Sequence, residues 1–414
     1  MSRKKIFDSV HHFIHVDELE NDLIHSEPFH RLHFIHQLGA AFFVYPGGTH
    51  SRFEHSLGVM ELATRIYDQI TSIEHNNELI PQVGSKEHIY WRKVMRMAAL
   101  CHDMGHLPFS HTAERLLFGE KGHEKWTARI IESPYLAPIW EKLDPNRDVK
   151  SDVIKIAVGS EVSTPWEGIV SQIVMADFFG ADRIDYLIRD AKYTGLPYGM
   201  FDYHQMIEML RILPYQGTWT IGIEESGIES CEALLASRYF MHKRLCQYPS
   251  VKSYGFHMAR FMKTSFGAAL TGDLDAYLQL TDNEIITEMH RAARNPLHSG
   301  HFDAACLSLN LPRFKAVPFH EELPDLSHLP EGKYGTEIDP THRNTLALTI
   351  PVLRKDGGIV SGERLSEIKI PQGPTHWVFI SPELAEEIYP LRFQEISTIH
   401  TRASQTRCVD ESLQ

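Results

Sequence analysis

Cys101-His102-Asp103-Met104-Gly105-His106 closes an apolar run of helical spacing, Val94-Met95-Arg96-Met97-Ala98-Ala99-Leu100. A histidine beside an aspartate at the end of such a run brings a carboxylate close to the core. A buried carboxylate needs a partner, and a metal ion is one. Imidazole and carboxylate together suit a divalent metal of intermediate softness. The competing reading, a chance surface pair, is weakened by the apolar run ahead of it.

Two other stretches offer groups to complete a coordination shell. One is Ser51-Arg52-Phe53-Glu54-His55-Ser56-Leu57-Gly58-Val59; the other is Ala181-Asp182-Arg183-Ile184-Asp185-Tyr186-Leu187-Ile188-Arg189-Asp190-Ala191. His55, His102, Asp103 and Asp182 supply two imidazoles and two carboxylates. They span roughly 130 residues, and a folded helical bundle is the natural way to unite them. The set fits one divalent ion (Mn, Fe, Mg, Co, Ni or Zn) with water in the open positions. Water on such an ion is acidified toward hydroxide near neutral pH.

Composition narrows the class. The chain has 414 residues, 43% hydrophobic and 23% charged, as expected of a globular protein with a large core. A net charge of −13 argues against a general nucleic-acid binder, which would carry a basic footprint. Five widely spaced cysteines without a C-x-x-C pair argue against a zinc ribbon and fit a reducing, cytoplasmic setting. Met1-Ser2-Arg3-Lys4-Lys5-Ile6 lacks an apolar signal core. No run approaches the ~18 apolar residues of a membrane span, so no membrane partner is expected.

The patterning is mainly helical. A leading segment runs over 7–50, and a strong helix begins at His55. Another starts at Trp91 and carries the His-Asp pair at its end. A further helix is expected within 110–132, with Ser110 as its N-cap. After a polar interval, 168–179 and 182–193 read as helices. Residues 215–224 alternate like a small hairpin. Helical patterning returns over 226–270 and 273–294. Prolines and glycines thicken beyond residue 295, with strand-like runs at 345–352 and 377–380 and a short helix from Ser381. The expected division is a helical core over 1–299 and a smaller α+β lobe over 300–414, frayed from 398.

Three more groups of residues carry chemistry. His106, His111, Glu114 and the pair His123-Glu124 follow the metal pair closely. A phosphoester hydrolase needs a general acid and donors for the non-bridging oxygens. Glu114 beside His123 would hold that imidazole protonated. Asp182, Tyr186 and Asp190, four apart, lie on one helical stripe. The alternative there is an amphipathic helix whose Asp-Arg pairs are solvated. Arg238-Tyr239-Phe240-Met241-His242-Lys243-Arg244 is the densest basic cluster of the helical part. It is either a phosphate clamp or a solvated face.

These pieces, in this order, resemble the HD-domain phosphohydrolase superfamily. The likeness is closest to its dNTP triphosphohydrolase branch, which includes the SAM- and HD-domain-containing protein. The resembling text is Arg31-Leu32 through Gln37-Leu38-Gly39, Val44-Tyr45-Pro46-Gly47, Arg52 through Val59, Cys101 through His106 with Pro108-Phe109-Ser110-His111, His123-Glu124, and Asp182 through Asp190. The resemblance implies an all-helical core around one metal held by His55, His102, Asp103 and Asp182. It implies catalytic or phosphate-contacting roles for His111, Glu114 and His123. It also implies phosphate or pocket contacts from Arg52, His106, Arg183, Arg238 and His242, and a sugar pocket of Gln37, Leu38, Tyr186 and Asp190. The implied reaction cleaves a dNTP at the α-phosphorus, releasing deoxynucleoside and triphosphate, in a homo-oligomer (dimer or tetramer). Two other readings stand beside it. One is an HD-type phosphatase releasing orthophosphate stepwise. The other is a nucleotide-sensing regulatory protein with a weakly active core.

Overall fold

The longest amphipathic patterns form the longest helices of the computed structural model, which describes residues 4–388 apart from 74–77, 120–121, 160–161, 310, 321, 340–347 and 371–374. Helix α1 (Arg52–Ile73) buries Leu57, Val59, Met60, Leu62, Ala63, Ile66, Tyr67 and Ile70. Helix α2 (Lys86–Cys101) starts at Ser85, whose hydroxyl accepts the His88 N–H, and is buried throughout from Val94 to Cys101. α1 packs against both α2 and α6 (Ala181–Thr194). The three stretches that carry the candidate ligands are therefore neighbours in the core.

The polar interval after residue 132 holds two helices, Ala137–Leu143 and α4 (Val149–Val158). α4 is capped by the Asp148 side chain and closed by Gly159 in the left-handed region. Its buried side chains, Val149, Val153, Ile156 and Ala157, form one face that average polarity conceals. α3 (His123–Glu132) precedes them, and α5 (Pro165–Met175) leads into α6. Beyond lie α7 (Ile228–Met241), α8 (Pro249–Leu270), α9 (Asp282–Ala293) and α10 (His301–Ser308).

Ser110 does not cap a helix. It and Phe109 have φ of 56° and 57°, and a tight turn (Ser110–Thr112) and a short helix (Glu114–Phe118) precede α3. The Ser110 hydroxyl instead donates to the His36 carbonyl and accepts from Arg52 Nε. Gly39 has φ +53° against this turn, and a Cβ there would lie 2.4 Å from Thr112 Oγ1 and 2.5 Å from the Phe109 carbonyl oxygen. Only glycine suits that position.

The sheets are small. β1 (Lys4–Asp8) and β2 (His12–Val16) form an N-terminal hairpin absent from the sequence reading. Its outward Phe7 and Phe13 blur the usual alternation. β3 (Leu210–Tyr215) and β4 (Thr218–Glu224) turn at Gln216-Gly217, both with positive φ, so the hairpin begins five residues before the expected 215. β5 (Lys315–Phe319), β6 (Tyr334–Asp339) and β9 (Thr375–Ile380) form an antiparallel sheet with β9 central. β5 tolerates Pro318 because it is an edge strand, and that proline hid it. The strand expected over 345–352 is instead β7 (Pro351–Leu353); residues 345–347 fall outside the described residues. β7 pairs parallel to β4 and antiparallel to β8 (Ile359–Ser361). The tail from 398 also lies outside the described residues. Among the described residues no helix is long and apolar enough to cross a membrane.

One buried ionic clamp ties the N-terminal segment to α2. Glu20, 2% exposed, accepts from Arg96 Nε at 2.6 Å and from Lys93 Nζ at 2.7 Å. Burial alone would raise its pKa, but Arg96 and Lys93 hold it down at about 2, against 4.5 for the free side chain. The folded pKa is depressed, so this stability is complete above the unfolded pKa and lost as pH falls toward about 2. Glu20→Gln should flatten the acid limb of the stability–pH curve between about pH 5 and 2 by on the order of 3 kcal/mol. Urea denaturation at several pH values checks this; an unchanged acid slope would show that the clamp contributes nothing.

Candidate metal centre

α2 ends at Cys101, and His102 follows in helical conformation before the chain turns. His102 Nδ1 lies 2.8 Å from the Ala99 carbonyl. A carbonyl only accepts, so Nδ1 carries the proton and Nε2 keeps its lone pair. That Nε2 is buried and makes no hydrogen bond. His55, in the first turn of α1, is set the same way, its Nδ1 donating to Asp185 Oδ2 at 2.7 Å. His55 Nε2 lies 3.1 Å from Asp182 Oδ1 and 3.6 Å from Asp103 Oδ2. His102 Nε2 lies 3.3 Å from Asp103 Oδ1 and 3.7 Å from Asp182 Oδ1. All four candidate ligands converge. Of the four, His55, His102 and Asp103 offer ligand atoms that all lie within 4.8 Å of one another, and Asp182 joins them through the two imidazoles.

The electrostatics ask for a cation. Burial would raise the Asp103 pKa, but Arg52, His102 and His106 hold it well below the usual carboxylate range. Asp182 is likewise held far down, against burial, by the neighbouring His102 and His55. Burial would lower His55, yet Asp182 and Asp185 raise it to about 10. Two ionised carboxylates thus favour positive charge where His55 Nε2 and His102 Nε2 converge, and the raised His55 is one form that charge takes. This donor set fits one divalent metal.

Behind the ligands lies a network that sequence reasoning did not find. Asp185 Oδ1 accepts from His11 Nε2 at 2.7 Å, and Arg189 donates to both Asp185 oxygens at 2.8 and 3.0 Å. Arg189 also donates to Asp8 Oδ1 at 2.8 Å. Asp8 Oδ2 accepts the N–H groups of Val10 and His11. The Asp185–Arg189 pair, four residues apart, is fully buried instead of solvated. Gly58 leaves room for it: a Cβ there would stand 2.0 Å from Asp185 Oδ1 and 2.4 Å from Arg189 Nη2. The available signal was the second aspartate of Asp182-Arg183-Ile184-Asp185, three residues on; His11 and Asp8 gave none.

A second cluster adjoins the first. His106 Nε2 lies 3.2 Å from Asp103 Oδ1, and its ring stacks on His123 at 3.8 Å between centroids. Glu114 Oε1 accepts the His123 N–H at 2.8 Å and lies 2.6 Å from His123 Nδ1. Glu114 Oε2 lies 2.5 Å from His111 Nδ1. Burial opposes the charge on Glu114, but His111 and His123 hold its pKa far below the carboxylate range. Burial would lower His123; Glu114 raises it above the usual imidazole value. His106 goes the other way, lowered by burial and by the neighbouring Arg52 and His123.

The remaining candidates form two groups around these clusters. Arg52 donates to Asp103 Oδ2 at 2.5 Å and to Ser110 Oγ at 2.8 Å. Arg183 Nη2 donates to Asp177 Oδ1 at 2.7 Å, and Arg238 donates to the Asp177 carbonyl at 2.6 Å. Burial raises the Tyr186 phenol, with Arg238 and Arg183 pulling it back. His242 begins the π-helical turn His242–Cys246 just after α7. On the other side, Asp190 Oδ1 lies 2.9 Å from His50 Nε2, and the Gln37 N–H donates to the His50 carbonyl. His50, which sequence reasoning passed over, thus joins Gln37 to Asp190. Leu38 packs against the main core.

Residues 52–157 match the HD domain family. YwfO, an uncharacterized protein of Bacillus subtilis, is 36% identical over 258 residues, covering 61% of this chain and 54% of that protein. The human deoxynucleoside triphosphate triphosphohydrolase SAMHD1 is 27% identical over 319 residues, covering 68% of this chain and 50% of that protein. The chain spans about half the length of the curated relatives it matches. A solved structure of a hypothetical protein from Aquifex aeolicus is similar over 93% of this chain and 98% of that one, with a TM-score of 0.76 and 28% identity.

His102→Ala and Asp103→Ala should each abolish tight binding of the ion at this cluster while leaving a folded protein, since each removes a direct ligand. Metal analysis after dialysis against Mn2+, with circular dichroism as the folding control, checks this. Full occupancy in both variants would refute the ligand assignment.

Proposed function

The chain belongs to the superfamily of HD-domain metal-dependent phosphohydrolases, and from that premise we propose that it hydrolyses deoxynucleoside triphosphates to deoxynucleoside and triphosphate. One observation carries the reading. A cation-seeking His/Asp cluster and a protonated imidazole held by a carboxylate meet at His106. Similarity to proteins described as deoxynucleoside triphosphate triphosphohydrolases supports the choice of substrate. On this reading the protein is a cytoplasmic homo-oligomer that uses a divalent ion such as Mn2+.

His55, His102, Asp103 and Asp182 would hold the ion, which when bound supplies Lewis acidity and acidifies water. The chain's own residues do the rest. His123 Nδ1 faces Glu114, so the proton it can give sits on Nε2. Glu114 stays ionised and keeps that imidazole charged until the leaving 5′-oxygen takes the proton. Arg52 and His106 line the approach for phosphate oxygens; Arg52 is already aligned by Asp103 and Ser110. His111, on the other oxygen of Glu114, reaches solvent and meets the outer phosphates. Arg183, Arg238 and His242 extend the positive wall. Asp190 and Gln37, joined through His50, accept and donate to the sugar 3′-hydroxyl, while Tyr186 and Leu38 exclude a 2′-hydroxyl.

Incubation with each dNTP and Mn2+ should release triphosphate and deoxynucleoside, with rates falling sharply for NTP and 2′,3′-dideoxy substrates. Orthophosphate with dNDP would identify a stepwise phosphatase instead. Tight nucleotide binding without turnover would identify a sensor.

His123→Ala should keep its metal and bind dNTP nearly as well, yet lose kcat by about a hundred- to ten-thousand-fold. The active form carries a proton that is lost as pH rises through the raised His123 pKa. Glu114→Gln should therefore move the alkaline limb of the kcat profile to lower pH. A wild-type rate in His123→Ala would remove it from the chemistry.

A further inference from the structure

We infer that Asp282 is a positioning residue for the site: through the turn at Phe109-Ser110 it sets the guanidinium of Arg52 that faces phosphate. Asp282 lies outside residues 52–157, the segment matched to the HD domain. It stands in the first turn of α9 and is 1% exposed. An acidic residue there ordinarily answers the helix dipole from the surface. Capping is done by its neighbours: Thr281 accepts the Asn283 N–H, and Glu284 accepts the Thr281 N–H. The Asp282 carboxylate turns instead to two distant stretches. Oδ1 accepts the Phe109 N–H at 2.7 Å. Oδ2 accepts the His36 N–H at 2.9 Å and His36 Nδ1 at 2.5 Å.

Both contacts bear on Arg52. Phe109 and Ser110 are consecutive non-glycine residues with φ of 57° and 56°. Side chains disfavour that region, and such conformations last only where the surroundings hold them. A buried N–H also requires an acceptor, and Asp282 supplies it to Phe109. The other anchor, His36, accepts the Ser110 hydroxyl at its carbonyl. With its hydrogen so placed, Ser110 Oγ presents a lone pair to Arg52 Nε at 2.8 Å, while Arg52 Nη1 reaches Asp103 Oδ2. One carboxylate thus fixes both the backbone that carries Ser110 and the carbonyl that orients its hydroxyl. The stretch leading to Asp282 steadies the residues ahead of the turn as well. The Tyr277 hydroxyl donates to the Gly105 carbonyl, and Arg31 bridges the Leu280 and His106 carbonyls at 2.8 and 2.9 Å.

A donor misplaced by about 1 Å can cost on the order of a hundredfold in rate. Only this kinetic consequence rests on the proposed hydrolase reading; the placement of Arg52 does not.

At saturating Mn2+, Asp282→Asn, which leaves one acceptor oxygen, should lower kcat/KM for dNTP by about ten- to a hundredfold. Ser110→Ala should do the same. Arg52→Lys keeps the charge and loses the planar fork. In that background either change should cost less than about twofold more. A merely structural brace would cost the same factor in both backgrounds, and that result would overturn the inference. Arginine-selective 15N NMR reads the same placement without substrate. The Arg52 Nε–H signal, identified by its loss in Arg52→Lys, should be protected from solvent exchange in the unsubstituted chain. It should exchange at least about tenfold faster in Asp282→Asn and Ser110→Ala. Unchanged exchange in both would overturn the inference. If Asp282→Asn does not fold, Ser110→Ala decides by the same two measurements. If the unsubstituted chain hydrolyses no dNTP, the hydrolase reading fails while the exchange rates still decide this one.

Discussion

The carboxylate of Asp185 is the point on which the site depends. It is fully buried, and it accepts from His11, His55 and Arg189 at once. Taking a carboxylate out of water is costly unless it is paired and hydrogen-bonded on all sides. Here three elements satisfy it: the N-terminal hairpin, α1 and α6. Because the charge cannot be left unpaired, those elements are held in one arrangement. The same contact fixes the His55 tautomer and so aims Nε2 toward Asp103 and Asp182. Orientation of a ligating imidazole through its other nitrogen is a general device of metal sites.

This constraint explains several choices along the chain. α1 and α6 must approach closely, and Gly58 allows it because any Cβ would strike the Asp185–Arg189 pair. Asp8 and His11 sit in a hairpin whose outward face carries exposed phenylalanines, while its inward polar groups reach into the core. His102 is oriented locally instead, by a carbonyl of its own helix. The two histidines of the centre thus reach the same state by different routes.

Opposite electrostatic demands meet within a few ångströms. The first cluster keeps Asp103 and Asp182 ionised beside Arg52 and His55. The second keeps Glu114 ionised by keeping His123 charged. His106, held neutral between them, separates a region that attracts a cation from one that stores a proton. Groups with pKa values pushed apart in this way are what acid–base chemistry on a charged substrate requires.

The amino-acid sequence by itself determined the candidate ligand types, the helices that bear them and the mainly helical fold, because long apolar periodicities and a His-Asp pair survive without tertiary context. His55, His102, Asp103, Asp182, His106, Glu114 and His123 were all legible in this way. Asp185 was visible only as a neighbour of Asp182, and Asp8, His11 and His50 not at all, since their partners lie 140 to 181 residues away. The short strands were lost for a related reason. β5 carries a proline that only its edge position permits, and β7 is three residues paired to a strand about 130 residues earlier in the chain, Val352 opposite Ile223. Tertiary structure alone decided which polar groups would be buried together. A charge in the core is stable only with its partners, and those partners can come from anywhere in the chain.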